Sequence, residues 1–463
     1  MPSRLSSLSF KQMSYSLVEN LLILFCVFLA VAIRFSLSAD QVLGYEFVFF
    51  KSLLIASVCQ FSFYYHDLYA IHFESRRRDW LLGFAQSLAA SSIILAVLYY
   101  LFPSLIIGRG IFLLTIILLP SVLIPWRIVY FRLLRIKPMK ENILIIGSGQ
   151  AARIMGELVY TEHKDKYNIL GFLDEDPARI GERVINPGII GAYDGLSKIM
   201  EAHRINRIIV AVQDRRGKLP VSDLLRYKFQ GVAIEESETF YERLAGKILV
   251  ENIKPSWFIF SSGFRRFRIL KLMKRGMDLI LSTITLLVTL PLFLFIAVAI
   301  KLESFGPVFF RQERVGENEE IFVLLKFRSM RNDAESETGP LWASKDDSRI
   351  TRVGNFLRRS RLDELPQLIN VIKGDMSFVG PRPERPYFIE RLEKQIPYYM
   401  LRHTLKPGIT GWAQIRYSYG ASVEDALEKL QYDLFYIKNL SFWLDITIIS
   451  ETIKIVLLQR GSR

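Results

Sequence analysis

The chain has 463 residues, room for about three domains at typical domain sizes. It is 51% hydrophobic and 13% aromatic with a net charge of +14, and its long apolar segments make an anionic membrane surface, not nucleic acid, the simpler partner for that charge. Its two cysteines, Cys26 and Cys59, both lie inside apolar segments, which excludes a disulfide framework or a zinc site.

Four apolar segments, about 16–37, 47–66, 80–102 and 111–134, reach the roughly 20 residues needed to cross a bilayer. The first is long, starts late and lacks a small-residue cleavage site, so it is expected to be a span and not a cleaved signal peptide. Arg4 and Lys11 precede it, while Asp40 and Glu46 lie in the first loop. Arg76, Arg77 and Arg78 lie in the second loop, Arg109 in the third, and Arg127, Arg132, Arg135, Lys137 and Lys140 end or follow the fourth segment. Positive charge then places the N-terminus, the second loop and everything after residue 135 in the cytoplasm. Tyr64, Tyr65, Trp80, Tyr99, Tyr100 and Trp126 fit interfacial positions, as buried aromatics also do.

Asn142-Ile-Leu-Ile-Ile-Gly147 predicts a buried strand, and the loop Gly147-Ser148-Gly149-Gln150-Ala151-Ala152 turns into a helix through about Tyr160. Ile169–Asp174 and Arg207–Val212 predict further strands with helices between, hence a small parallel Rossmann-like α/β domain over 138–253. Gly147 and Gly149 are candidate dinucleotide-binding positions. A lone glycine fingerprint is weak evidence, so a scaffold that is empty or holds only a regulatory ligand is the favoured expectation. Tyr160 and Lys164 match a Tyr-xxx-Lys pattern, but fall too soon after the glycine loop to form a short-chain dehydrogenase site.

Residues 277–300 form a fifth apolar run interrupted by Pro291, which removes a helix hydrogen bond and kinks the helix. Lys271, Lys274 and Arg275 precede it, and Lys301, Arg311 and Arg314 follow. Basic residues at both ends want both ends on the cytoplasmic side, which predicts a helix that enters the membrane and returns. The alternative is a fifth span.

The remainder is polar with short apolar runs. Residues 306–312 predict a turn into a strand, 321–330 a strand carrying Lys326, and 350–362 an arginine-rich helix. Asp363 and Glu364 then precede Pro366, a favourable first residue of a short helix to Lys373. Residues 406–414 predict a loop into a strand, and 422–438 and 441–458 helices, the last of them apolar enough to lie on a membrane surface. An acidic pair before a helix is commonly only a cap. Here it is flanked by Arg358, Arg359, Arg361, Arg382 and Arg385. Phosphoryl transfer needs cations on the phosphates and an oriented nucleophile, and a carboxylate serves as that nucleophile in some enzymes. Magnesium takes one or two carboxylates together with substrate phosphates. A membrane location points to a lipid phosphate as one substrate and a cytoplasmic one to a nucleotide derivative as the other.

The stretches KFRSM (326–330), FLRRSRLDELPQLINVIKGDMSFVGPRP (356–383) and KPGITGWAQ (406–414) occur in order behind the Pro291 segment. Through them, residues 271–463 resemble the catalytic region of bacterial polyprenyl-phosphate sugar-1-phosphate transferases, the monotopic phosphoglycosyl transferases. The whole chain is similar to the large members: four membrane helices over 1–137, a Rossmann-like domain over 138–253, and a re-entrant helix with an α/β catalytic domain over 254–463. The resemblance implies that Asp363 attacks the sugar-proximal phosphate of a UDP-sugar, releasing UMP, and that undecaprenyl phosphate then takes the phosphosugar. It implies that Glu364 binds Mg2+, that Arg358 holds a phosphate, and that Lys326, Arg382 and Pro383 fall on active-site positions. Asp433 also matches a family position, with a less defined role, and Pro291 matches the helix-breaking proline. Such enzymes start exopolysaccharide, capsule or O-antigen assembly at the bacterial inner membrane, with the catalytic domain in the cytoplasm. After Gln414 the chain reads Ile-Arg-Tyr-Ser-Tyr-Gly where many members carry Asn-Gly, which leaves sugar and base open.

Two other functions compete: a membrane-bound nucleotide-sugar dehydratase or epimerase, and a non-catalytic scaffold for polysaccharide assembly. The first needs a Tyr–Lys pair in a full-size dehydrogenase domain, which the α/β unit ending near 253 does not supply. The front half keeps two roles that the sequence does not separate, regulation and stabilising a homodimer.

Overall fold

The structure, a computed structural model, describes residues 10–35, 47–66, 68, 77–134, 140–212, 219–253, 255–261, 263–264, 268–331, 349–417, 420 and 422–457. Arg4, Asp40, Glu46, Arg76, Arg135 and Lys137, used above for orientation, and Ser418 and Tyr419 after Gln414, lie outside them. The chain divides into two compact units, residues 3–140 and 141–463.

The first unit is helical. Its helices α1 (Phe10–Arg34), α2 (Val48–Tyr65), α3 (Arg77–Leu101) and α4 (Arg109–Leu134) coincide with the four apolar segments, and each contains a stretch long and apolar enough to cross a membrane. Ile23, Cys26, Val27, Ile55, Cys59, Phe63, Phe84, Leu95, Leu119 and Leu123 meet in one core. Arg127 departs from its expected place. It is not a flanking charge: it is fully buried, with Nε 2.5 Å from Glu19 Oε1 on α1, itself fully buried. Its guanidinium lies 5.8, 5.0 and 5.5 Å from the ring centres of Tyr15, Phe63 and Phe84. One side chain of α4 therefore touches α1, α2 and α3, and the apolar setting leaves its charge no water to turn to.

The second unit begins with a five-stranded parallel sheet in the order β3-β2-β1-β4-β5: β1 (Glu141–Ile146), β2 (Tyr167–Asp174), β3 (Ile189–Ala192), β4 (Arg207–Val210) and β5 (Ala233–Glu236). Alternation along β1 explains why both faces are covered. Ile143 and Ile145 pack against α5 (Gln150–Glu162) and α8 (Ser237–Ala245) through Ala152, Met155, Val159, Phe240 and Leu244. Leu144 and Ile146 pack against α6 (Leu196–Ala202) and α7 (Val221–Phe229) through Leu196, Leu224 and Tyr227.

After a short helix α9 (Pro255–Phe260) comes α10 (Arg268–Glu303), 36 residues whose hydrogen-bonded pattern continues through Pro291. Straight, it would run roughly 54 Å. Its basic flank has partners in the protein. Lys274 Nζ donates to Asp445 Oδ2 at 2.8 Å and to the Val379 carbonyl at 2.9 Å. Arg275 donates to the Val371 and Ile372 carbonyls near the end of α12 (Gln367–Lys373), and Asp278 accepts from Ser377 and the Phe378 N–H. At the other end, Ile296 and Ile300 pack on Phe327 and Leu357, and Glu303 accepts from the first N–H groups of α11 (Arg352–Arg359). Between those ends Ile284, Leu287, Val288, Leu294 and Phe295 are exposed.

The rest of the unit is built on two small sheets. The hairpin β6 (Phe309–Val315) and β7 (Ile321–Phe327) is antiparallel, and β8 (Ser377–Val379) pairs parallel with β9 (Gly408–Thr410). Helices α13 (Pro386–Glu393), α14 (Trp412–Arg416), α15 (Val423–Lys438) and α16 (Phe442–Leu457) complete it.

Candidate active site

Lys326 arrives on β7, next to the buried ring of Phe327. The following Arg328 donates to the carbonyls of Phe305 and Ser304, each at 2.8 Å, which fixes the strand end against the end of α10. Helix α11 then crosses that strand end. Its cap Thr351 accepts from the Gly354 N–H at 2.9 Å. A Cβ on Gly354 would lie 2.0 Å from the Ser329 carbonyl oxygen, so only glycine permits this approach. The helix ends earlier than the expected 362 because Arg361 adopts a left-handed φ of 55°. That reversal starts a single 3-10 turn, Leu362–Glu364, which presents the acidic pair ahead of Pro366, the cap residue of α12.

Asp363 and Glu364 have different surroundings. Glu364 Oε1 accepts from Lys326 Nζ at 2.8 Å and from Arg382 Nη2 at 2.7 Å. Burial alone would raise its carboxyl, but Arg382 and Lys326 outweigh it and hold Glu364 well below the usual carboxylate range. Asp363 is only 7% exposed, and its carboxylate makes no hydrogen bond or ion pair among the described residues. Burial raises it above the usual value, against the pull of Lys326, Arg358 and Arg382. Arg358 Nε donates to Ser329 Oγ at 3.0 Å, and its two terminal nitrogens have no partner among the described residues.

Arg382 and Pro383 sit on the loop after β8. Two arginines that the sequence reading did not assign to the site hold this loop by its carbonyls. Arg402 Nη2 donates to the Arg382 oxygen at 3.1 Å, and Arg314 Nη1 donates to the Pro383 oxygen at 2.9 Å. Asp433 is buried behind the loop and accepts from Arg402 Nη2 at 2.8 Å, so the structure places it against Arg402. Arg314 had counted only as a basic flank of the membrane segment. Nothing in its spacing marked it; its position opposite Phe322 in the hairpin register does.

The structure thus brings Lys326, Arg358, Asp363, Glu364, Arg382 and Pro383 to one place, with Asp433 behind them. Pro291, Gly147 and Gly149 lie elsewhere. Gly147 has φ +111° and packs its turn against the Ala211 carbonyl, and Gly149 caps α5 with open space around it. Asp174, at the end of β2 where a dinucleotide ribose would bond, is held by Ser148 and by Arg179 Nη1 at 2.7 Å. Tyr160 is exposed on the last turns of α5.

The donor set suits magnesium in one specific way. Both cationic contacts of Glu364 fall on Oε1, and Oε2 accepts nothing from the described residues. No cluster of three or more His, Cys, Asp or Glu side chains occurs among the described residues. One carboxylate oxygen completed by substrate phosphates is a coordination that suits magnesium, and the described residues offer no cage built wholly of protein ligands.

Residues 269–459 match the family model described as bacterial sugar transferase, and residues 65–219 match one described as CoA-binding domain. Over 240 residues the chain is 40% identical to the UDP-N-acetylgalactosamine-undecaprenyl-phosphate N-acetylgalactosaminephosphotransferase of Aeromonas hydrophila, covering 52% of this chain and 56% of that one. It is 51% identical over 185 residues to the UDP-glucose:undecaprenyl-phosphate glucose-1-phosphate transferase of Xanthomonas campestris pv. campestris, covering 40% and 38%. It is 42% identical over 186 residues to the exopolysaccharide production protein PSS of Rhizobium leguminosarum bv. phaseoli, covering 39% of this chain and 93% of that one. The match spans about half the length of the first relative and less of the second.

Proposed function

The chain belongs to the bacterial sugar transferase family, and from that premise we propose that it transfers a sugar-1-phosphate from a UDP-sugar to undecaprenyl phosphate, giving undecaprenyl-diphosphate-sugar and UMP. The observation that carries this reading is the contrast at the acidic pair: a buried carboxylate, Asp363, without an ion-pair partner among the described residues, beside one neutralised by Lys326 and Arg382. An unpaired carboxylate in a desolvated, cationic pocket keeps its lone pairs for attack.

Asp363 attacks the sugar-proximal phosphorus. A carboxylate O–P bond forms, and the P–O bond to UMP breaks with its electron pair leaving on UMP. A phosphate oxygen of undecaprenyl phosphate then attacks the same phosphorus, and the aspartyl O–P bond breaks to return the carboxylate. Arg358 holds phosphate oxygens with its two terminal nitrogens. Lys326 and Arg382 keep Glu364 ionised and oriented, with Oε2 toward the phosphates. Magnesium at that oxygen would neutralise phosphate charge.

The names of the relatives support undecaprenyl phosphate as carrier and a UDP-sugar as donor, with N-acetylgalactosamine and glucose both represented among them. A re-entrant α10 is supported by its contacts: both ends bind the same catalytic unit, and the apolar middle is exposed. A helix so held places both ends on one side of the bilayer. With the basic loops inside, that side is the cytoplasmic face of the bacterial inner membrane. The product is the lipid-linked first sugar of an exopolysaccharide, capsule or O-antigen. The test is UMP release from a panel of UDP-sugars in detergent with undecaprenyl phosphate and magnesium, comparing wild type with Asp363→Asn. Release that depends on Asp363 supports the reading, and no release from any donor overturns it.

A further inference from the structure

Helix α15 is gripped on two sides. On one side stand residues of the sheet domain, all outside the 269–459 stretch that matches the transferase family. Glu242, on α8 and 7% exposed, accepts from Lys438 Nζ at 2.6 Å and from Asn439 Nδ2 at 3.0 Å. The next three positions after α8 follow suit. The Gly246 carbonyl accepts from Trp412 Nε1 at 2.7 Å, Lys247 pairs with Glu428, and the Ile248 N–H donates to the Gln431 carbonyl at 3.1 Å. Trp412 in turn stacks on Phe435 of α15, ring centres 5.7 Å apart. On the other side of the helix, Asp433 holds Arg402, and Arg402 holds the carbonyl of Arg382, whose guanidinium pairs with Glu364.

We propose that the sheet domain is a brace for the catalytic loop: α8 and residues 246–248 fix α15, and α15 fixes Arg382 through Asp433 and Arg402, with Glu242 as the positioning residue. The chain of contacts is continuous and mostly buried, and each joint is a directional hydrogen bond or ion pair. A buried carboxylate that receives an ammonium and an amide is an anchor that does not slide. The brace gives the sheet domain a task in the transfer reaction whether or not its glycine loop holds a ligand.

The test uses the full chain in detergent and rests, for its activity arm, on the function proposed above. Glu242→Gln keeps the shape and removes the charge. It is expected to lower kcat for UMP release by about two- to thirtyfold. Hydrogen exchange in 423–438 and 399–404 should rise with it. Combined with Arg402→Lys, the loss should be less than the product of the single losses, because both act through the Arg382 carbonyl. If Glu242→Gln does not fold, Trp412→Phe keeps an aromatic ring beside Phe435 while removing the bond to Gly246, and it carries the same expectation. Unchanged kcat, exchange that rises only within 237–253, or fully multiplicative losses would overturn the brace. A wild type that releases no UMP sinks the proposed function instead, and the exchange arm then decides the brace alone.

Discussion

Asp363 and Glu364 are adjacent in one 3-10 turn, yet Glu364 is bound by two cations and Asp363 by none among the described residues. The turn makes the difference. Leaving a left-handed Arg361, it aims Glu364 at Lys326 and the Arg382 loop and leaves Asp363 buried. Two carboxylates with opposed environments are the usual sign of a division of labour.

The two should therefore respond to substitution with opposite signs in stability. The carboxyl of Asp363 is raised in the fold, so the folded chain holds its proton more tightly than the unfolded one. Its favourable contribution is full below the unfolded value and lost as pH rises through the folded value, so at neutral pH the ionised group costs stability. Asp363→Asn is expected to raise the melting temperature at neutral pH while lowering turnover by at least about a thousandfold. A lower melting temperature would contradict the assigned environment.

Glu364 is depressed, so its contribution is present above the unfolded value and lost as pH falls through the folded one. Glu364→Gln should cost about 1–2 kcal/mol, a modest figure because Arg382 is more than a third exposed. Denaturant unfolding at neutral pH reads it, and a neutral or stabilising result would mean that the two ion pairs contribute nothing.

Arg358 keeps its backbone and Ser329 contacts without contributing to the ion pairs of Glu364. Arg358→Ala should lower kcat/KM by about a hundredfold, the usual cost of one lost donor to transition-state charge. The melting temperature should change little. A large loss of stability with normal turnover of the remaining folded enzyme would make it structural.

In the helical unit, Glu19 and Arg127 are joined at 2.5 Å with no solvent at either group. Glu19→Leu or Arg127→Leu alone should destabilise by about 3–5 kcal/mol, because each strands a buried charge. The double variant should recover much of that loss. Thermal unfolding in detergent distinguishes this from simple additivity, which would mean that the pair is not coupled.

If both ends of α10 lie on one face, single cysteines at Lys271 and Lys301 should react with an impermeant reagent from the same side of sealed vesicles. The native cysteines are buried and form the background. Labelling from opposite sides would make α10 a fifth span.

Much of this was legible in the chain. Apolar length found the helices, the apolar runs at 142–147, 169–174 and 207–212 found the parallel sheet, and Lys326, Arg358, Asp363 and Arg382, singled out as candidates in the sequence, lie together in the fold. The misleading residues were basic. Arg127, Lys274, Arg275 and Arg314 all counted as membrane-flanking charge, and all four prove to be engaged with protein groups. Charge counting cannot tell a solvated arginine from one bonded to a carbonyl, because the partner lies far along the chain. Arg402 was missed for the same reason, since Asp433 and the Arg382 carbonyl are 31 and 20 residues away. The strands β8 and β9 have three residues each, too short for any alternation to show.

The most direct test of the central claim is a single turnover without lipid acceptor. Purified protein is mixed with a reactive UDP-sugar and magnesium, and UMP is counted against enzyme while the intact protein mass is followed. A burst of about one UMP per active site is expected, with a mass increase of one phosphosugar on the peptide containing Asp363; both are absent in Asp363→Asn, and undecaprenyl phosphate removes the added mass. No UMP until the carrier is added, with the protein mass unchanged throughout, would contradict it and point to direct transfer between the two substrates.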